Sequence, residues 1–188
     1  MKTLHKFREL VHVNVIGKVF SVRCEVGQNL LAWRPGVDYR KTVSAQKKLG
    51  GGALLELSHE IDYLLWIFGK IARVQASCTR QGELEIDVED TVHVILGFES
   101  GNLIGSLNMD FVRHDTTRTC TVIGEKGTLR WDGLTGEIFL YRVGGAGWQT
   151  LFRQPQGRDD SYVAEWRHFL DCIPDNVAPL VTGKDGLR

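Results

Sequence analysis

The chain has 188 residues, 43% hydrophobic and 24% charged, with 23 basic and 23 acidic side chains in balance. That is enough to bury one substantial core and too little for two full domains, so one domain over 1–188 is expected. The even charge leaves no net field to draw nucleic acid or an anionic membrane surface, and a small polar ligand or a protein partner is expected instead.

No apolar run nears the roughly 20 residues that span a bilayer, and MKTLHKFREL lacks the continuous hydrophobic segment of a signal peptide. A cytoplasmic protein is the expectation. Cys24, Cys78, Cys120 and Cys172 are widely spaced with no CxxC pair, which suits reduced, buried thiols better than zinc ligation or a disulfide framework.

In chain order, Leu4, Phe7, Leu10 and Val11 recur at helical spacing from the first residues. KVFSVRCEV then alternates, with Phe20, Val22, Cys24 and Val26 on one side of a strand and Ser21, Arg23 and Glu25 on the other. Periodicity lapses from Gly27 to Lys48. A loop that long is usually functional or disordered, and Trp33, Arg34, Asp38, Tyr39 and Arg40 suit a surface for sugars or phosphates. A crossover in which Trp33 and Tyr39 plug the core edge fits equally well.

The stretch that organises the chain follows: GGGALLELSHEIDYLLWIFG, Gly50 to Gly69. At about 100° per residue, Leu54, Leu57, Ile61, Leu64, Leu65 and Phe68 share one arc of a helix, and Glu56, His59, Glu60, Asp62, Tyr63 and Trp66 the other. Gly69 stops the helix. Alternating segments separated by glycine turns come next: ARVQASCT, DTVHVILGF paired as a hairpin with NLIGSLNMDF, TRTCTVIG, GTLRW, EIFLYR and WQTLF.

Strands joined by tight turns, each with one polar side, predict an α+β fold: an open, predominantly antiparallel sheet with helices packed on one face. A last amphipathic helix starts near Ser161, carries Val163, Trp166, Phe169 and Leu170, and is stopped by Pro174. The start falls inside one helix and the end at the lead-in of another, so both termini read as cut.

Among ionisable residues His59 stands out, with Glu56 and Asp62 at three-residue spacing and Tyr63 at four. A carboxylate beside an imidazole fixes its tautomer and suits proton transfer; on spacing alone, a histidine hydrogen-bonded at the edge of a core helix is the better reading. Arg113, His114, Asp115 and Arg118 could rim a polar ligand or simply be solvated, like His93 on its strand. His5, His12 and His168 read as surface groups. No GxGxxG follows a strand, and no phosphate loop, GxSxG elbow or HExxH is present.

GGGALLELSHEIDYLLWIFG resembles the C-terminal domain of the glucose-fructose oxidoreductase, inositol dehydrogenase and MocA family. IGKVFSVRCEVGQ, WRPGVDYR, EDTVHVILGFESGNLIGSLNMDF and VIGEKGTLRWDG extend the likeness over nearly the whole chain. Members join an N-terminal Rossmann domain, which binds NAD or NADP and supplies a catalytic lysine, to an α+β domain whose sheet supports substrate binding and subunit association.

The resemblance implies that this chain is the second domain only, the substrate-binding and oligomerisation half of a sugar or polyol oxidoreductase. It would have no cofactor site of its own and be inactive alone. His59 matches the histidine that moves the proton and Asp62 the aspartate of the HxxD segment. The aspartate that members place four residues before the histidine falls at Leu55, with Glu56 three before. Either the helix starts one residue later or Glu56 does not take that role.

Tyr39, Arg40, Arg34 and Arg113 would suit a phosphorylated, acidic or nucleotide-linked sugar. A homo-oligomer formed through the sheet is expected. The rival reading is a stand-alone, non-catalytic dimerisation or sugar-binding module of the same fold.

Overall fold

The computed structural model describes residues 1–155, 157, 159–174 and 177–187. The chain divides into two compact units, Lys2–Gln154 and a second comprising Met1 with the residues from Pro155 onward. Each is described by itself.

The larger unit begins with α1 (Lys2–His12), followed by β1 (Val19–Gly27), a short α2 (Leu30–Trp33), α3 (Ala53–Glu56) and α4 (His59–Phe68). Seven strands complete it: β2 (Ile71–Thr79), β3 (Thr91–Phe98), β4 (Ile104–Asp110), β5 (Thr117–Gly124), β6 (Gly127–Asp132), β7 (Glu137–Arg142) and β8 (Trp148–Arg153). They form one eight-stranded open sheet in the order β2-β3-β4-β1-β5-β6-β7-β8. Only β1 and β4 run parallel. The fold is α+β, as the alternating segments predict.

The register explains why this sequence makes one buried face. Val94, Leu107, Cys24, Cys120, Trp131 and Ile138 lie side by side across six strands. Leu96, Gly105, Val22, Val122, Leu129 and Leu140 form the next row. Their side chains are buried, while the alternating residues on the other side, such as Arg23, Ser106 and Thr121, keep some exposure. Phe20 leaves the expected inward set and is 52% exposed, because a register shift interrupts the β1–β5 pairing between Val19 and Ser21.

Helix α1 buries Thr3, Phe7 and Val11. Thr3 Oγ1 accepts a hydrogen bond from Trp131 Nε1 at 3.3 Å, and Phe7 packs on the same indole. The two histidines of α1 have partners. His5 meets Trp66 edge-on with ring centroids 4.8 Å apart, and His12 Nε2 lies 2.8 Å from the Ile67 carbonyl. Both tie α1 to α4.

The expected long helix after the glycines is broken in two. Leu57 leaves helical geometry, Ser58 Oγ donates to the Leu55 carbonyl at 2.8 Å, and the Glu60 and Ile61 amides bond three residues back instead of four. The break resets the helical phase. In α4 the buried stripe is Glu60, Tyr63, Leu64, Ile67 and Phe68, the i, i+3, i+4, i+7, i+8 pattern of a core-facing helix. Glu60 and Tyr63, expected on the polar arc, are therefore core residues.

In the smaller unit, α5 (Asp160–Cys172) forms where the amphipathic pattern places it, ahead of Pro174. His168 Nε2, expected to be a plain surface group, accepts from the Leu180 amide at 3.0 Å.

Candidate active site

His59 is the first residue of α4, its side chain 51% exposed. Beneath it lies a fully buried carboxylate. Glu60 Oε1 sits 3.3 Å from His59 Nε2 and 2.7 Å from Arg118 Nε, while Oε2 accepts from the Cys24 thiol at 3.7 Å. Arg118 comes from β5, registered beside Val26 and so facing the helices, and its guanidinium stands 5.5 Å from the Trp131 ring centroid. Cys24 also lies 2.6 Å from the Tyr63 hydroxyl.

Burial pushes the Cys24 thiol and the Tyr63 phenol up, so both stay neutral around pH 7. Below the imidazole, then, lies a charged Glu60–Arg118 pair inside a neutral polar cluster. A buried charge needs such a partner to persist.

The glycine triplet that leads into this site is set by contact. A Cβ on Gly51 would meet the Val43 and Ser44 carbonyls, and Gly52, at φ 110°, would drive one into the Glu89 carboxylate. Glu89 Oε1 accepts from the Leu54 amide at 2.9 Å and so holds the first turn of α3. Two neighbours on the same extended segment act alike: Glu85 pairs with Arg40 at 2.7 Å, and Asp87 accepts from the Lys47 amide at 2.7 Å. Three alternating carboxylates thus fasten the 40–54 region, a role signalled only by the period-two spacing of ELEIDVED.

The remaining candidates fall into three groups. Glu56 ends α3, where its carboxylate accepts from Ser44 Oγ at 3.0 Å; among the described residues it is not bonded to His59. Arg34 and Tyr39 line a narrow crevice with Trp33 and that same Ser44, which puts them in one connected region with Glu56. The Tyr39 hydroxyl accepts from the Glu85 amide at 3.1 Å. Arg40 is held by Asp38 at 2.8 Å as well as by Glu85, and its hydrogen bonds keep the Asp38 carboxyl below the usual range. Its charge is matched before any ligand arrives. Asp62 is exposed in the first turn of α4, where a carboxylate suits the helix dipole.

Arg113 stands apart from the others. It pairs with Glu25 and, at 2.8 Å, with Asp115. Glu25 alternates with the inward Cys24 and Val26, so this pair lies on the sheet face turned away from α4. There it borders an open hollow of about 190 Å³ with Thr91, His93, Asn108 and Asp110. Arg113 and Arg118, grouped by sequence, thus serve opposite faces.

The glycine triplet before α3 does not suit a pyrophosphate. The one glycine-rich turn before a helix is filled by the Val43 and Ser44 carbonyls and by the Glu89 carboxylate, which would repel a pyrophosphate. No helix among them is long and apolar enough to cross a membrane, and no cluster of three metal-ligating side chains occurs among them.

The class defined by these features is an α+β domain that offers a half-exposed histidine over a buried ion pair. Residues 4–130 match the GFO/IDH/MocA C-terminal domain model, and the chain belongs to that family. It is 26% identical over 196 residues to the myo-inositol 2-dehydrogenase of Thermotoga maritima, covering 98% of this chain and 54% of that protein.

Among solved structures, the aldose-aldose oxidoreductase of Caulobacter crescentus, complexed with glycerol, superposes with a TM-score of 0.78 at 21% identity, over 98% of this chain and 54% of that one. The WlbA dehydrogenase of Bordetella pertussis, in complex with NADH and UDP-GlcNAcA, gives 0.71 at 23% identity, over 98% and 54%. The chain spans about half the length of the curated relatives it matches.

Proposed function

We propose that this chain is the substrate-binding half of an NAD(P)-dependent oxidoreductase acting on a sugar or polyol, with His59 exchanging the proton of the reacting carbinol. The observation that carries the reading is His59 itself: exposed at the start of α4, yet set against a buried carboxylate that a purely structural helix would not need. Family membership supports the reaction class. The NAD or NADP belongs to a dinucleotide-binding domain outside these residues, and the chain alone is inactive.

Substrate contacts are assigned to Tyr39 and Arg34, which line one crevice, with Glu56 positioned through Ser44, and further contacts to Arg40 in the adjoining loop and to the exposed Asp62 of α4. Arg113, on the other face, is left to an assembly role. That face exposes Ile95, Ile104, Tyr141 and Trp148, with Arg130 between the Phe139 and Trp148 rings, which favours a homo-oligomer formed through the sheet.

Titrating the purified chain with NADH and following nucleotide fluorescence tests the division of labour. No saturation is expected at micromolar NADH; saturable binding there would overturn it.

A further inference from the structure

The buried stripe of α4 begins with a glutamate where an apolar residue would avoid desolvating a charge. Tyr63, Leu64, Ile67 and Phe68 fill the rest of the stripe as a core requires, so packing does not account for Glu60. The pairing does not account for it either. Oε1 lies within reach of both Arg118 and His59, yet neither approach is aligned as a hydrogen bond.

Among the described residues, Arg118 and Cys24 from the sheet and His59 from α4 approach this carboxylate, and Tyr63 from α4 meets it through Cys24. Burial raises the Cys24 thiol and the Tyr63 phenol, so both are neutral at physiological pH, and Arg118 is the cationic neighbour 2.7 Å from Oε1. The remaining donor is the imidazole, whose Nε2 points toward Oε1 while nothing among the described residues is hydrogen-bonded to Nδ1.

We propose that Glu60 is the positioning residue of His59: it accepts the Nε2 proton, fixes the neutral ring as the Nε2–H tautomer, and leaves Nδ1 as the nitrogen that takes the substrate proton. The catalytic half of this statement rests on the reading of His59 given above; the tautomer half does not. A carboxylate one residue along the helix would ordinarily diverge from its neighbour by about 100°. The contact exists because His59 opens the helix at the break after Leu57, where its side chain can fold back over Glu60.

Long-range proton–nitrogen NMR of the histidine rings in this chain, above their titration range, reads the tautomer directly, with His59→Asn assigning the signal. The expected result is a single Nε2–H form for His59, relaxing to a mixture in Glu60→Leu and in Glu60→Gln, either of which suffices if the other folds poorly. A mixed or Nδ1–H ring in the unsubstituted chain, or a ring unchanged by both substitutions, overturns the proposal. In the complete oxidoreductase, Glu60→Gln lowers kcat about 10- to 100-fold with KM little changed and adds nothing on a His59→Asn background. Multiplying losses would make Glu60 merely structural, while an undiminished His59→Asn enzyme would remove the proton-carrier reading and leave the tautomer result standing.

Discussion

Replacing Arg118 with alanine strands the Glu60 carboxylate in the core. Glu60 has no exposed surface, and its nearest cationic group is the guanidinium 2.7 Å away. Breaking a buried pair from one side costs about 3–5 kcal/mol. The Arg118 side chain is 23% exposed, which draws the value toward the lower end. Loss of its contact with Trp131 adds about 0.5–1 kcal/mol. About 3–4 kcal/mol in all is a large part of the ~5–15 kcal/mol that holds a typical domain folded.

Urea unfolding at neutral pH, followed by tryptophan fluorescence, measures the cost. Glu60→Leu combined with Arg118→Met should regain most of the loss, because no charge is left in the core. A deficit under about 1 kcal/mol, or one that the double substitution does not reduce, would refute the buried-pair account.

Gly52→Ala should destabilise by about 1–3 kcal/mol in the same assay, since it adds a Cβ at φ 110° against the Glu89 carboxylate; a neutral effect would show that the turn can relax. Native protein should expose the Cys78 thiol to a colorimetric reagent at once and release Cys24 and Cys120 only on denaturation. The raised Cys24 and Tyr63 groups contribute stability that is complete below about pH 8.5, the unfolded thiol value, and is lost as pH rises through their folded values. The unfolding midpoint should therefore fall above that pH, and a midpoint unchanged up to pH 11 would contradict the buried cluster. Arg40→Ala, which unties Asp38 from Glu85, should raise KM in the complete oxidoreductase; unchanged kinetics would take that loop out of the site.

Strand alternation and glycine turns made the sheet readable, and the buried faces of β3 to β7 follow the sequence pattern closely. The parallel β1–β4 pairing was not readable, because the link between those strands is a long crossover and the partner is chosen by tertiary packing. The central helix shows the same limit at finer scale. Ionisable side chains usually face water, which places Glu60 and Tyr63 on the wet side of one continuous helix, yet positions 60, 63, 64, 67 and 68 carry the core spacing once the break at Leu57 and Ser58 is known.

The site was legible only in part for related reasons. His59 could be singled out by its neighbours in sequence. Arg118 could not, because it is brought to Glu60 across 58 positions by the register of β5 on β1. Arg113 shows the converse: five residues from Arg118 in the chain, it serves the opposite face, since the two are separated by the turn into β5. Cys78 was expected among buried thiols, but β2 is an edge strand and leaves it exposed.

The central claim is that His59 carries a proton for chemistry shared with a dinucleotide-binding domain. Steady-state kinetics of His59→Asn in the complete oxidoreductase tests it most directly. The account predicts a kcat lower by about 10²–10⁴-fold with nicotinamide binding unchanged; a kcat within about twofold of the unsubstituted enzyme would contradict it.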